Sequence, residues 1–396
     1  MRLRSMKVAL FFTCLLGCFT NIAPVAAQVT GQTNVTPIRI RARSVPPKEA
    51  EESSRLNKWS IGLAGGPIET TDIKFASDIS VALSDGPNLR IVTTLTPGSI
   101  QNVKDLLYLQ GMDAGLVSAD VFDDIRKEGE IKNVEKRIQY VSQICVNSFQ
   151  LLVSADIKTL KDLNGKKISI PTKGSSTASL ALKVFKRNGL KVKTVEGSIA
   201  AGLEQLKSGE VSGVVAAFSK GTPTIFSFIK ADSGLHLLPV SFDKFMDDYY
   251  VPIYLSNSDY PNLIPPGAKI ETIGTPVVLA IYNWPKNHRR FRKVERFIQY
   301  YFEKFDRLRQ PPFHPAWRNV NLAAKVPGWK RYWYAKKVLK DMIRKVEAKA
   351  AKAGKDGNAG KSKLSRVEQE MLATVPNEEQ KKKLKEFFEW KRKQQQ

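Results

Sequence analysis

Hydroxyl-bearing residues follow a short apolar strand in the middle of the chain. The strand is predicted at Ile168 to Ile170, and Lys173 to Thr177 reads Lys-Gly-Ser-Ser-Thr before a helical pattern that starts at Ala178. The N–H groups at a helix N-terminus carry partial positive charge, so this run favours an anion, and Lys173 would add a full charge. An ordinary Ser or Thr helix cap is the alternative interpretation. The predicted ligand contacts here are Lys173, Gly174, Ser175, Ser176 and Thr177.

Other loops that follow apolar strands carry further polar groups. Gly65 and Gly66 come after the first strand and permit close approach of backbone to a ligand, although a tight turn alone would also need them. In open α/β sheets a ligand lies at the carboxyl ends of the strands, so we expect these loops to line one crevice. Phe218 and Tyr250 are candidates for stacking on a ligand, with core packing as the alternative. The remaining predicted contacts are Glu69, Thr70, Ser118 and Ser219.

Residues of catalytic type are few and scattered. The histidines, His236, His288 and His314, are far apart in sequence, and no pair has the spacing of metal ligands on one helix. Cys145 lies in an apolar run, which favours a buried hydrophobic role over a nucleophile. The sequence contains neither Gly-x-Ser-x-Gly nor a complete phosphate-binding loop motif. We therefore predict that the protein is not an enzyme and uses no metal or other cofactor.

The first residues have the features of an export signal. Basic residues precede an apolar run at 8–19 that is too short to span a bilayer, and Val25 to Ala27 forms a small-residue cleavage site. We predict a signal peptide at 1–27, a flexible linker at 28–57 and a periplasmic location. Lipid attachment at Cys18 is the alternative.

From Trp59 onward, short apolar runs of strand length alternate with helical patterns, which is typical of an α/β protein with crossover connections. Two apolar runs, 138–153 and 277–282, are placed to carry the chain between two such units, and a turn-rich stretch covers 252–266. We predict two parallel-type sheets, flanked by helices and joined by a two-strand hinge. In this prediction lobe I comprises 58–146 and 275–344, and lobe II comprises 147–274.

Basic residues are concentrated near the C-terminus. The chain has 63 Lys and Arg against 38 Asp and Glu, a formal net charge of +25, and Lys is dense in 345–396. Export argues against nucleic acid as a partner, so an anionic membrane or envelope surface is the expected contact for this extension. We expect the extension to be mostly disordered or helical.

The order of these signals resembles the TAXI family of solute-binding subunits of TRAP transporters. Leu160 to Thr177 is similar to the family's turn, strand and Ser/Thr-rich loop, and Ala201 to Phe218 is similar to its helix and strand. The resemblance covers about Trp59 to Lys340. It implies a type II periplasmic binding protein fold and capture of a small anionic solute, an amino or organic acid, for the permease subunits of a TRAP transporter.

One loop departs from the family's pattern. The family's first loop usually continues after its glycines into a Tyr-containing stretch that faces the ligand, whereas this chain has Pro67 to Thr71, with Glu69 at its centre. An ABC importer receptor with the same fold is one alternative. The other is an envelope interaction protein that has lost ordinary ligand binding and works through its basic extension.

Overall fold

The computed structural model describes residues 46–220, 224–245 and 249–353. The helices are α1 (Pro47–Lys58), α2 (Thr71–Leu83), α3 (Ser99–Tyr108), α4 (Ala119–Glu128), α5 (Val134–Arg137), α6 (Ser176–Arg187), α7 (Ile199–Lys207), α8 (Phe291–Glu303), α9 (Phe305–Leu308) and α10 (Trp333–Ala353). The strands are β1 (Ser60–Ala64), β2 (Arg90–Thr94), β3 (Met112–Ser118), β4 (Ile138–Val153), β5 (Lys167–Pro171), β6 (Lys193–Gly197), β7 (Gly213–Ser219), β8 (His236–Leu237), β9 (Val251–Ser256) and β10 (Lys269–Tyr282). Short 3-10 helices cover Leu160–Leu163, Ile225–Phe228, Phe242–Phe245 and Pro315–Asn319.

The strands form one mixed sheet in the order β2-β1-β3-β10-β4-β7-β5-β6, with β9 added to β10 and β8 to β4. β4 and β10 are antiparallel to each other and are long enough to belong to two strand sets. The C-terminal part of β10 pairs with β3 and its N-terminal part pairs with β9, while the C-terminal part of β4 pairs with β7. The predicted α/β class, with two lobes and two hinge strands, is confirmed, and the two predicted sheets are continuous through β4 and β10.

Lobe I consists of β1 to β3, α2 to α5 and the helices after β10. Lobe II consists of the elements between β4 and β10. We propose that the boundaries lie at 147 and 275. Pairing of β4 with β7 starts at Asn147, and pairing of β10 with β9 ends at Gly274. The chain therefore changes neighbours at these two places.

The parallel pairs explain the continuous apolar strands. β1 pairs in parallel with β2 and β3, and β5 pairs in parallel with β6 and β7. Every residue of β3 and of β7 is buried. Strands covered by helices on both faces need apolar residues at successive positions instead of in alternation, as these two strands have.

The helical region after β10 packs on the lobe I sheet. Six apolar residues of α8 recur at helical spacing and are all buried, as the spacing predicts: Phe291, Val294, Phe297, Ile298, Tyr301 and Phe302. They lie in one cluster with Phe75 of α2 and the fully buried Trp317. These aromatic side chains therefore belong to the hydrophobic core. Among the described residues, no helix is long and apolar enough to cross a membrane.

Two predicted loop segments contain regular structure. Residues 47–58 form helix α1, although the flexible linker was expected to reach 57; α1 buries none of its residues, so it has no apolar period to reveal it. Its Pro47 suits the first helical position, and Glu52 pairs with Arg55. Residues 251–256 form β9, within the stretch expected to be turns, because pairing with β10 overrides local preference. Most of the predicted extension, from 354 onward, lies outside the described residues.

Candidate functional site

A small cavity lies between the lobes, with a volume of about 10 Å³. That volume is close to the least that holds one water molecule. Its walls come from β3, β4, α6, β7 and β10, so both lobes and both hinge strands contribute. The lining residues are Ser118, Asn147, Ser176, Thr177, Leu180, Ala217 and Thr275.

The N-terminus of α6 forms one wall of the cavity. Ser175 is the N-cap residue, and its Oγ accepts a hydrogen bond from the N–H of Ala178 at 3.1 Å. The first N–H groups of a helix have no partner within the helix, and in α6 these include Ser176 and Thr177, both of which line the cavity. Partial positive charge at this end of the helix therefore faces the cavity.

Thr275 contributes a buried hydroxyl to the opposite wall. It lies on β10 directly across from Asn147 on β4, and it is 3 % exposed. Within the described part of the chain its Oγ1 has no hydrogen-bond partner. An unpaired buried hydroxyl costs about 1–3 kcal/mol, which a ligand atom could recover by bonding to it.

Asn147 connects the cavity to a buried carboxylate. Its Nδ2 donates to Asp72 Oδ1 at 2.9 Å, and its Oδ1 accepts from Ser219 Oγ at 2.9 Å. The N–H of Ser219 donates to Thr71 Oγ1 at 3.3 Å, which joins lobe II to α2 of lobe I. Burial raises the pKa of Asp72 to about 6, although the bond from Asn147 lowers it in part. Burial also raises the pKa of the Cys145 thiol, which leaves it a poor nucleophile.

An ion-pair cluster joins α4 of lobe I to α6 of lobe II. Lys183 Nζ lies 3.1 Å from Asp120 Oδ2 and 2.6 Å from Asp124 Oδ2. The Asp120 side chain is only 1 % exposed, and its other oxygen accepts from Ser118 Oγ at 2.6 Å. Burial lowers the pKa of Lys183, but the two carboxylates more than offset this, and the net shift is upward.

The first loop of lobe I also reaches lobe II. The carboxylate of Glu69 accepts hydrogen bonds from the N–H groups of Ile199 and Ala200 at the start of α7, at 2.8 and 3.2 Å. Elsewhere along the cleft, a Cβ atom placed on Gly98 of lobe I would lie 3.1 Å from the Cα of Ser175. The two lobes are thus in contact along the cleft.

The structure brings some of the predicted site residues together. Three of them line the cavity: Ser118, Ser176 and Thr177. Two more lie directly behind it: Ser175 caps α6, and Ser219 donates to Asn147. In the first loop, Gly65, Gly66, Glu69 and Thr70 lie beside the cleft and outside the cavity lining.

Four predicted residues lie elsewhere. Lys173 is exposed and its backbone N–H donates to Glu196, while Gly174 has φ 94° in the turn before α6. Phe218 packs edge-on against Phe226 in the lobe II core, and Tyr250 packs against Phe245. Core packing, the alternative interpretation, describes Phe218, whereas the hydroxyl of Tyr250 also donates to Asp120 Oδ2 of lobe I at 3.5 Å.

Sequence reasoning missed Asn147 and Thr275. Both sit within apolar strands, and only the pairing of β4 with β10 places them side by side. A polar residue in the middle of an otherwise apolar strand was the available signal, because such a residue needs a partner once buried.

The chain is weakly similar to solved structures of several functional classes. A putative periplasmic sulfonate-binding protein of a sulfonate ABC transporter from Methylobacillus flagellatus is 13 % identical, with 65 % of this chain and 72 % of that chain covered and a TM-score of 0.37. A TctC solute-binding protein from Polaromonas is 15 % identical, with 62 % and 87 % covered and a TM-score of 0.37. The OxyR regulatory domain from Pseudomonas aeruginosa is 15 % identical, with 61 % and 95 % covered and a TM-score of 0.36. At such TM-scores, none of these structures indicates what this chain binds.

Sequence comparison supplies the family. No curated protein matches the chain in sequence. The NMT1-like family, in contrast, matches residues 74–327, which is more than half of the chain and includes the cavity and its flanking helices. The chain belongs to the NMT1-like family.

Proposed function

We propose that this protein is the extracytoplasmic solute-binding subunit of a TRAP-type uptake transporter of the TAXI class, and that it captures a small carboxylate-bearing solute between its two lobes. The observation that carries the proposal is the interlobe cavity at the N-terminus of α6, which is lined by Thr275, a buried residue whose hydroxyl has no hydrogen-bond partner among the described residues.

The polar groups around the cavity suit a carboxylate. The N–H groups of Ser176 and Thr177 would donate to one carboxylate oxygen, and the hydroxyl of Thr275 would donate to the other. Dehydrating a carboxylate is costly, and several such bonds are needed to offset that cost. Lys183 lies about two helical turns beyond this end of α6 and is already bonded to Asp120, so the helix N-terminus supplies the main positive potential.

Access to the cavity requires the lobes to separate. A volume of about 10 Å³ is too small for an amino or organic acid, and the walls belong to both lobes. Ligand contacts made by both lobes exist only in the closed state, so a solute that enters the open cleft would shift the population toward closure. Rotation about β4 and β10 is the motion this connection allows, and the closed form is what permease subunits would recognise.

The resemblance to TAXI proteins and the predicted export signal support the transporter assignment and the periplasmic location. A receptor of an ABC importer would use the same cleft, and neighbouring genes would distinguish the two: a many-helix permease favours TRAP, and an ATPase favours ABC.

Thermal unfolding against a panel of amino acids, dicarboxylates, keto acids and sulfonates tests the proposal. A solute that binds only the folded state raises the melting temperature by an amount that grows with its concentration over Kd. We expect one chemical class to raise it, and we expect Thr275→Val to abolish most of that rise. Thr194→Val, an exposed threonine of β6, is the matched control and should keep the full rise.

The panel also addresses the second candidate. A folded protein that shows no shift with any class would contradict capture of a small carboxylate. It would favour an envelope interaction protein that works through its basic extension, which has Lys at many positions after 345.

A further inference from the structure

Glu69 makes a contact between lobes that no local pattern explains. It lies in the loop between β1 and α2, about 130 residues before the helix that it contacts. Its Oε2 accepts from the N–H of Ile199 at 2.8 Å, and its Oε1 accepts from the N–H of Ala200 at 3.2 Å. Both oxygens of one carboxylate of lobe I are therefore bonded to the backbone of lobe II.

With Glu69 in place, each N–H group in the first turn of α7 has a hydrogen-bond acceptor. The N–H of Ala201 donates to the Oγ of Ser198, the N-cap residue, at 3.1 Å, and the N–H of Gly202 donates to the Ser198 carbonyl. The remaining donors of the first turn are those of Ile199 and Ala200. A carboxylate in this position also interacts favourably with the helix dipole.

The loop that carries Glu69 is held rigid within lobe I. Thr70 donates from both its N–H and its Oγ1 to the Pro67 carbonyl, at 3.1 and 2.7 Å, which closes a tight turn around Glu69. The N–H of Gly65 donates to the carbonyl of Thr94 at the end of β2, and the carbonyl of Gly66 accepts from the N–H of Thr96 in the loop after it. Little conformational freedom is lost when this preorganised carboxylate meets α7, so its bonds stabilise the closed arrangement efficiently.

We propose that Glu69 is a latch that holds the two lobes together: a carboxylate of lobe I is bound by the helix N-terminus of lobe II, as an external anion would be. This inference goes beyond the proposed function, because it concerns the equilibrium between closed and open lobes and needs no solute. Release of the latch precedes any access of a solute to the cavity, since the lobes must separate first.

Small-angle X-ray scattering on the purified protein measures the latch directly. Glu69→Gln keeps the shape but removes the charge, and Glu69→Ala removes the acceptor. Both are expected to increase the radius of gyration and to lower the melting temperature by a few degrees. Glu130→Gln, which neutralises an exposed glutamate of lobe I, is the matched control and should leave both values unchanged.

A variant on the other side of the contact gives an independent test. Ala200→Pro removes one of the two donors from α7 while Glu69 stays intact, and proline is tolerated in the first turn of a helix. We expect Ala200→Pro alone to open the lobes partially. The double variant Ala200→Pro with Glu69→Ala should open no further than Glu69→Ala alone, because both changes break the same contact. This variant also keeps the test decisive if Glu69→Ala fails to fold.

The possible outcomes separate clearly. An unchanged radius of gyration in Glu69→Gln and Ala200→Pro would overturn the latch, and so would an equal increase in Glu130→Gln. If a solute from the panel binds, Glu69→Gln should raise its association rate about five- to tenfold, because the open form is more populated. Failure of every solute to bind any variant would count against the proposed function and leave the scattering result to decide the latch.

Discussion

Replacing Lys183 by Met is expected to lower the free energy of unfolding by about 3 kcal/mol. Lys183 is the cation between Asp120 and Asp124, and the Asp120 side chain is 1 % exposed. Removing the cation leaves a buried carboxylate whose charge is no longer balanced, and burial of a charge without a partner is costly. The bond from Ser118 to Asp120 persists in the variant and limits the loss. Urea unfolding at pH 7 measures the change.

A double variant separates the cost of the unpaired charge from the loss of the lysine side chain. Asp120→Asn in the Lys183→Met background removes the charge and keeps an acceptor for Ser118, so it should recover most of the lost stability. Lys186→Met, an exposed lysine on the same helix, is the control and should change stability little. Equal stability of Lys183→Met and the unchanged protein would contradict a tight contact of α4 with α6.

Replacing Asp72 by Asn is expected to remove a pH dependence of about 3 kcal/mol from the stability of the fold. Burial penalises the charged form of Asp72 and raises its pKa in the folded protein to about 6, from an ordinary value of 3.8. A raised folded pKa means that the folded state binds the proton more tightly than the unfolded state. This contribution is fully present below about pH 4 and is lost as the pH rises through 6.

The measurement is the difference in unfolding free energy between Asp72→Asn and the unchanged protein from pH 4 to pH 7. The stability of the variant relative to the unchanged protein should be greater at pH 7 than at pH 4. The amide of the variant stays neutral at both values and still accepts from Asn147. Asp306→Asn, at a side chain that is 93 % exposed, should show no such trend. A flat difference for Asp72→Asn would mean that its carboxylate is not buried beside Asn147.

The arrangement of elements was predictable because local chemistry and tertiary structure agree over most of the chain. Helix α7 begins after Ser198 and ends next to Gly209, as the cap residues predict, and the apolar face of α8 is buried as its period predicts. One exception is α1, a helix without a buried face, for which an amphipathic pattern gives no signal.

The site was predictable only where its residues follow strands. The hydroxyls of Ser118, Ser176 and Thr177 could be placed at one crevice because the carboxyl ends of the strands define it. Thr275 and Asn147 come from within hinge strands, and their meeting depends on the register of β4 against β10. The contact of Glu69 with α7 joins residues that are 130 positions apart, on different lobes. Local sequence patterns therefore could not predict it.

Single residues were harder to assign than loops. Phe218 and Tyr250 are aromatic residues that could stack on a ligand, yet a large aromatic side chain gains more by full burial, and both are at most 4 % exposed. Lys173 shows the opposite case, because a long charged side chain at a turn is easily solvated and faces water.

Titration calorimetry of the solute class that gives the largest thermal shift, with the unchanged protein and with Thr275→Val, tests the central claim most directly. We predict one solute bound per chain, with an affinity at least about tenfold lower in Thr275→Val because the carboxylate loses a buried donor. Thr275→Val should itself unfold no earlier than the unchanged protein, since the hydroxyl it loses bonds to no residue in 46–220, 224–245 or 249–353. Equal affinity in the two proteins would place the solute outside this cavity, and no binding of any solute class would contradict capture between the lobes.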